Sequence, residues 1–176
     1  MRKRILAPHF LTMLRNPMQD VKPRLEVANQ YPDLIFDLSK LEQFFEAIFS
    51  LHDHNLAGEL SLVFMDRSSH CQLHGKYLQD FRPTDVITFP ADLENELVGE
   101  ICVSVDQAIE EAESRNLPLD QELSLYLIHG WLHLVGFDDL EKVDRKMMRL
   151  EEQRVINQIN QLSLWPDFRL AHPKPR

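Results

Sequence analysis

Apolar positions recur at two different spacings along the chain, and these spacings predict both strands and helices. The predicted strands cover residues 24–29, 59–65, 85–89 and 97–104. The predicted helices cover residues 39–52, 69–79, 106–114, 118–135 and 140–161. Strands and helices do not alternate regularly, which favours an α+β fold over a parallel α/β fold. We therefore expect a small mixed four-stranded sheet packed against helices.

The two ends of the chain differ from this patterned body. Residues 1–23 contain three prolines and no sustained period, so we predict a separate N-terminal arm. The arm is basic, because residues 1–24 carry six Lys or Arg side chains against one acid. The patterned region, residues 24–162, is predicted to be a single domain. Residues 163–176 are predicted to form a loose Pro-rich tail.

Composition and charge exclude several classes of protein. With 19 Lys and Arg against 28 Asp and Glu, the chain carries a formal net charge of −9, unlike proteins that coat nucleic acid through their overall charge. The two cysteines cannot form a disulfide framework. No apolar run approaches the roughly 18 residues of a membrane span, so we predict a cytoplasmic protein that does not bind membranes. The five glycines have neither dinucleotide-binding nor P-loop spacing.

A pair of histidines near the end of the fourth predicted helix points to a metal ion. His129 and His133 are four residues apart, which places both imidazoles on one face of a helix. Gly136 then ends the helix, and Asp139 follows three residues later. This H-x3-H-x2-G-x2-D spacing is typical of the zincin-like metal helix, with Asp as third ligand. We predict one Zn²⁺ per chain on a helix that packs beneath the strand at 97–104.

Other interpretations of this segment remain open. The two histidines would also suit the buried face of a core helix, and Asp138 competes with Asp139 as third ligand. Gly130 occupies the position where zinc peptidases have a glutamate base, which argues against a peptidase. A second pair, His70 and His74, lacks a third ligand at useful spacing. We expect two further histidines to lie in exposed loops: His52 and His54.

Two separate segments, HGWLHLVGFDD at residues 129–139 and LHGKYLQDFRPTDVITFP at residues 73–90, together resemble the YbeY family of metal-dependent bacterial endoribonucleases. Residues 129–139, HGWLHLVGFDD, are similar to the family segment H-G-x-L-H-L-x-G-Y-D-H. Residues 73–90, LHGKYLQDFRPTDVITFP, are similar to L-N-x-x-Y-R-G-K-D-x-P-T-D-V-L-S-F-P. Between them, Gly99-Glu-Ile101 matches the family's G-[DE]-I strand. The resemblance covers about residues 24–160 and keeps the family's order.

The resemblance implies a zinc-dependent endoribonuclease specific for single strands, active in maturation of the 16S rRNA 3′ end and in ribosome quality control. The implied partners are ribosomal RNA and the small ribosomal subunit or its assembly proteins, without DNA. Two positions depart from the family: Asp139 replaces the third metal histidine, and Leu78 replaces an arginine that would contact substrate. We predict that Arg82 takes over this catalytic role if its side chain folds into the cleft; the alternative is that Arg82 is a surface arginine. The alternatives are a ribosome-assembly factor with a structural metal, or a metal-dependent hydrolase of another substrate.

Overall fold

The computed structural model describes residues 22–52, 58–92 and 96–172. Most of the predicted N-terminal arm therefore lies outside the described residues. The strands are β1 (Arg24–Asn29), β2 (Leu34–Ile35), β3 (Glu59–Met65), β4 (Val86–Phe89), β5 (Leu97–Ser104) and β6 (Arg169–Leu170). The helices are α1 (Leu38–Phe49), α2 (Arg67–Leu78), α3 (Val105–Arg115), α4 (Leu119–Leu134) and α5 (Lys142–Leu162).

The main sheet has four strands and is mixed, as the sequence predicts. Its strand order is β1-β3-β5-β4. The first three strands run parallel, and β4 pairs antiparallel with β5 at one edge. Alternate residues of β3 are buried (Leu60, Leu62 and Phe64), because successive side chains of a strand point to opposite faces. The protein is thus an α+β protein whose sheet buries its apolar positions against the helices.

The helices cover the sheet through the apolar stripes seen in the sequence. On α1, the five apolar residues that recur at helical spacing are all buried: Leu41, Phe44, Phe45, Ile48 and Phe49. The α4 helix lies directly against the sheet, since a Cβ atom built on Gly130 would be 2.7 Å from the Cγ2 atom of Ile101 in β5. The helix that carries the two histidines therefore packs on the strand at 97–104, as expected. None of the described helices is both long and apolar enough to cross a membrane.

The segment after α5 is ordered against the body, which differs from the predicted loose tail. Strand β6 pairs antiparallel with β2. Between α5 and β6, Phe168 is only 3% exposed and lies with its ring 5.5 Å from that of Phe36 and 5.4 Å from that of Phe64. Its backbone N–H also donates to Asp120 at 2.8 Å. The loose-tail prediction is wrong for residues 163–172, because one aromatic side chain completes the core.

Candidate metal centre and cleft

The structure brings the three predicted metal ligands together. His129 and His133 lie one turn apart on the last part of α4, and Asp139 lies in the turn that follows. The Nε2 atoms of the two imidazoles are 3.0 Å apart, and Asp139 Oδ2 is 3.8 Å from His129 Nε2. All three potential ligand atoms lie within 4.8 Å of one another. In the described part of the chain, no other group of three His, Cys, Asp or Glu side chains meets this geometry.

Both imidazoles are held by their other ring nitrogen. His129 Nδ1 lies 2.7 Å from Glu152 Oε1, and His133 Nδ1 lies 3.1 Å from the carbonyl oxygen of Phe137. Because a carboxylate and a carbonyl only accept, each Nδ1 carries a proton, and in the neutral form of each imidazole Nε2 presents a lone pair. Two such lone pairs 3.0 Å apart repel each other unless a proton or a metal ion lies between them. Two imidazole nitrogens around a tetrahedral zinc are about 3.3 Å apart, given Zn–N bonds of about 2.05 Å. The donor set therefore fits a divalent metal ion.

Carboxylates surround this pair of histidines and make the site attractive to cations. Burial lowers the pKa of His129, whereas the hydrogen bond to Glu152 and the nearby charges of Asp85 and Asp139 raise it; the net shift is upward. The same negative field that favours a proton on His129 also favours a metal ion. A metal must displace that proton, so metal affinity decreases as the pH falls.

The competing third ligand, Asp138, has a different role. Its Oδ1 atom accepts the backbone N–H groups of Asp139 at 2.7 Å and Leu140 at 3.2 Å. These bonds fix the turn after α4. Asp138 thus shapes the loop that places the Asp139 carboxylate beside His129, and of the two it is Asp139 that lies in the group of side chains that could hold a metal ion.

The remaining histidines in the described residues have structural partners. His70 is buried, and its Nε2 atom lies 3.0 Å from the carbonyl oxygen of Cys102, which ties α2 to β5. His74 contacts the carbonyl oxygen of Arg82. His52 accepts a bond from the Trp131 indole and donates to Glu151, with only 10% of its side chain exposed. The prediction of an exposed loop is therefore wrong for His52, and His54 lies outside the described residues.

Arg82, the predicted catalytic residue, is not brought to the metal ligands. Its side chain is 85% exposed, and its guanidinium forms a forked ion pair with Asp80, with the closest contact at 2.6 Å. This pair lowers the pKa of Asp80. Leu78 is likewise at the surface, 62% exposed at the end of α2. A catalytic role for Arg82 stays a prediction, and it requires release of the guanidinium from Asp80.

A cleft of about 750 Å³ lies beside the candidate metal centre, with His129 and Asp139 in its wall. Three arginines line it: Arg115, Arg145 and Arg149. Their place in the cleft could not be predicted from the sequence, because they come from helices that only the tertiary fold brings together. For Arg145 and Arg149, the signal in the sequence was the cluster of basic residues at the start of α5, Lys142-Val-Asp-Arg-Lys-Met-Met-Arg149.

Replacing Glu152 with glutamine is expected to weaken metal binding by about tenfold to a hundredfold. The amide keeps the shape of the side chain but loses the charge that orients His129 and raises the basicity of its imidazole. Competition with a chromophoric chelator measures the affinity. Glu151→Gln is the matched control, because Glu151 contacts His52 and Arg154 instead of the ligand group. Equal affinities of the two variants would show that Glu152 has no part in the site.

Comparisons with known proteins agree with this architecture. Residues 26–160 match the family model described as Endoribonuclease YbeY. Endoribonuclease YbeY of Protochlamydia amoebophila is 35% identical over 145 residues, covering 80% of this chain and 96% of that protein. The Clostridioides difficile protein of the same name is 29% identical, covering 81% and 95%.

A solved structure supports the fold independently of close sequence similarity. The solution structure of TM1509 from Thermotoga maritima has a TM-score of 0.56 and 22% identity to this chain. The match covers 80% of this chain and 92% of TM1509. At this identity the likeness concerns the fold alone. Together with the family match over residues 26–160, these findings establish that the chain belongs to the YbeY endoribonuclease family.

Proposed function

We propose that this chain is a zinc-dependent endoribonuclease that cleaves single-stranded RNA in the maturation of ribosomal RNA. The observation that carries the proposal is the pair of imidazole Nε2 atoms, 3.0 Å apart, with the Asp139 carboxylate beside them at the edge of a cleft. Membership of the YbeY family supports the endoribonuclease activity. Zinc is proposed because two imidazoles and one carboxylate form a donor set typical of that ion.

The proposed roles of the side chains follow from their contacts. His129, His133 and Asp139 would hold the ion. When bound, a divalent ion supplies Lewis-acid chemistry, polarising a phosphoryl oxygen and lowering the pKa of water. Glu152 keeps the proton of His129 on Nδ1, and the carbonyl of Phe137 does the same for His133. The likeness of α4 to the metal helix of zincins belongs to this proposal.

A proton acceptor is needed because Gly130 stands where zinc peptidases have glutamate. Of the carboxylates that line the cleft, Glu152 is bonded to His129. Glu111 and Glu122 are paired with Arg115. This leaves Asp85, which accepts the Thr84 hydroxyl and the backbone N–H of Val86, both at 2.9 Å. We assign the proton acceptor to Asp85.

The proposed biological substrate is the 3′ end of 16S rRNA, in rRNA maturation and ribosome quality control. A net charge of −9 gives the whole molecule little attraction for free RNA, so we propose that the small ribosomal subunit or an assembly protein presents the substrate. We therefore propose a cytoplasmic location.

A second candidate function is a ribosome-assembly factor with a structural metal. The observation that favours it is the position of the nearby side chains: Leu78 cannot neutralise charge on a phosphoryl group, and Arg82 is paired with Asp80.

One cleavage assay separates the two candidates. The purified protein is incubated with end-labelled single-stranded RNA and with the same sequence as a duplex. We expect cleavage of the single strand, its loss after chelation, and its recovery when Zn²⁺ is returned. Mn²⁺ and Mg²⁺ are tested in parallel to identify the ion. A protein that contains stoichiometric metal but cleaves neither RNA would favour the assembly factor.

A further inference from the structure

The first half of α5 carries a stripe of four cations. Lys142, Arg145, Lys146 and Arg149 have the spacing i, i+3, i+4 and i+7, which places them on one face of the helix. All four are exposed. The stripe spans about 10 Å along the helix axis. It is concentrated on one helix of a chain whose net charge is −9.

The four cations of the stripe differ from the arginines elsewhere in the described residues, because none of the four forms an ion pair there. Within the described ranges, no ion pair involves any residue of the stripe. The arginines elsewhere in the same ranges each pair with an acid, and they are Arg24, Arg67, Arg82, Arg115, Arg154 and Arg169. Four like charges on adjacent turns repel one another, and a bound polyanion removes that repulsion.

The stripe also leads to the candidate metal centre. Arg145 and Arg149 line the same cleft as His129 and Asp139. Both arginines, with Lys142 and Lys146, also surround a shallower depression on the outside of α5. The cations therefore form a continuous path from the outer surface of the helix to the ligand group.

An apolar stripe runs beside the cations on the side away from the cleft. Val143, Met147 and Leu150 are 72%, 52% and 57% exposed, and Leu150 contributes to the outer depression. Spacing of i, i+4 and i+7 places them on one face. A ligand that fits both stripes has regularly spaced negative charges on one side and flat apolar groups on the other. Unpaired RNA has this composition, whereas a duplex turns its bases inward.

We propose that this face of α5 is the docking surface for the RNA strand. Phosphates bind to Lys142, Arg145, Lys146 and Arg149, and unstacked bases lie over Leu150 and its apolar neighbours. The strand then enters the cleft past Arg145 and Arg149. This inference rests on the proposed endoribonuclease function and specifies which surface of the chain binds its substrate. An acidic protein segment is the competing occupant. Binding of such a segment would not explain why the cations continue into the cleft.

The test is RNA binding by charge-neutralised variants of the metal-loaded protein. Anisotropy of a labelled single-stranded RNA gives Kd before cleavage begins, over a range of salt concentrations. For Arg145→Gln/Arg149→Gln we expect Kd to rise by about tenfold or more. The slope of log Kd against log salt should decrease by about 0.7 for each cation removed, hence by about 1.4 for this pair and about 2.8 when Lys142 and Lys146 are also replaced by glutamine.

Arg169→Gln is the matched control, because it removes the same charge from an exposed arginine that is paired with Asp167. Its Kd and salt slope should equal those of the wild type. If the quadruple variant cleaves and binds RNA like the wild type, the docking inference is wrong while the nuclease function stands. If it keeps RNA affinity but no longer sediments with small ribosomal subunits, the face binds a protein and the inference is also wrong. If the wild type neither binds nor cleaves RNA, the proposed function itself fails.

Discussion

Replacing His133 with alanine should remove the bound metal and lower RNA cleavage by more than about a thousandfold, since the ion is what brings the pKa of its water from 15.7 to about 7. The remaining ligands, His129 and Asp139, cannot retain the ion at the affinity of a three-ligand site. The fold should survive, because the His133 imidazole is half-buried and is not part of the buried core. Elemental analysis, cleavage rate and thermal unfolding are measured on the same preparation.

The matched control for this substitution is His74→Ala. His74 is the second member of the other i, i+4 histidine pair, but its Nδ1 atom hydrogen-bonds to the carbonyl of Arg82 and it does not belong to the candidate ligand group. It should keep one metal per chain and wild-type cleavage. Full metal occupancy in the His133→Ala protein would mean that α4 does not hold the ion.

Introducing the missing peptidase glutamate, Gly130→Glu, should unfold or severely destabilise the protein instead of adding an activity. A Cβ atom at this position would lie 2.7 Å from Ile101 Cγ2 and 3.2 Å from Val86 Cγ2, where helix α4 meets the sheet. Overpacking of this kind costs about 1–3 kcal/mol. Burial of a carboxylate between helix and sheet costs several kcal/mol more. The total loss is a large share of the roughly 5–15 kcal/mol free energy of unfolding of a typical domain.

Urea unfolding of three variants separates these contributions. Gly130→Ala should lose only the overpacking part, because it adds a Cβ atom without charge. Gln121→Glu introduces the same acidic side chain at an exposed position in the first turn of α4, and it should leave stability nearly unchanged. A folded Gly130→Glu protein with wild-type stability would show that α4 can move away from the sheet, and that the close approach does not exclude a glutamate base.

The proximity of the three candidate ligands was predictable from the sequence because they are close together along the chain. His129, His133 and Asp139 lie within eleven consecutive residues, so helix periodicity and one glycine stop determine their approach. Glu152 reaches His129 only because α5 packs on α4, and no spacing rule gives that contact. The direction of the Arg82 side chain could not be predicted from the sequence either. It depends on whether the guanidinium pairs with Asp80 or turns toward the cleft.

The same distinction explains which parts of the fold could be predicted. Features set by neighbouring residues were predictable, and contacts between distant segments were not. The five buried residues of α1 and the alternation of β3 could be predicted, because each is a periodic pattern within one element. The β2–β6 pairing could not, because each strand has two residues and the partners are more than a hundred positions apart. Prolines near Phe168 also gave the segment the composition of a loop.

The burial of Phe168 has a consequence for the order in which the protein acquires its structure during synthesis. Phe36 and Phe64 are translated early, yet the ring that covers them is translated after α5. Until then a nascent chain exposes these aromatic rings to chaperones, and its β2 strand has no partner. Helix α4, which carries the two candidate histidine ligands, is synthesised before Phe168. The core is therefore completed only after α4 has left the exit tunnel. The protein would in this way complete its core only after most of its chain has been synthesised.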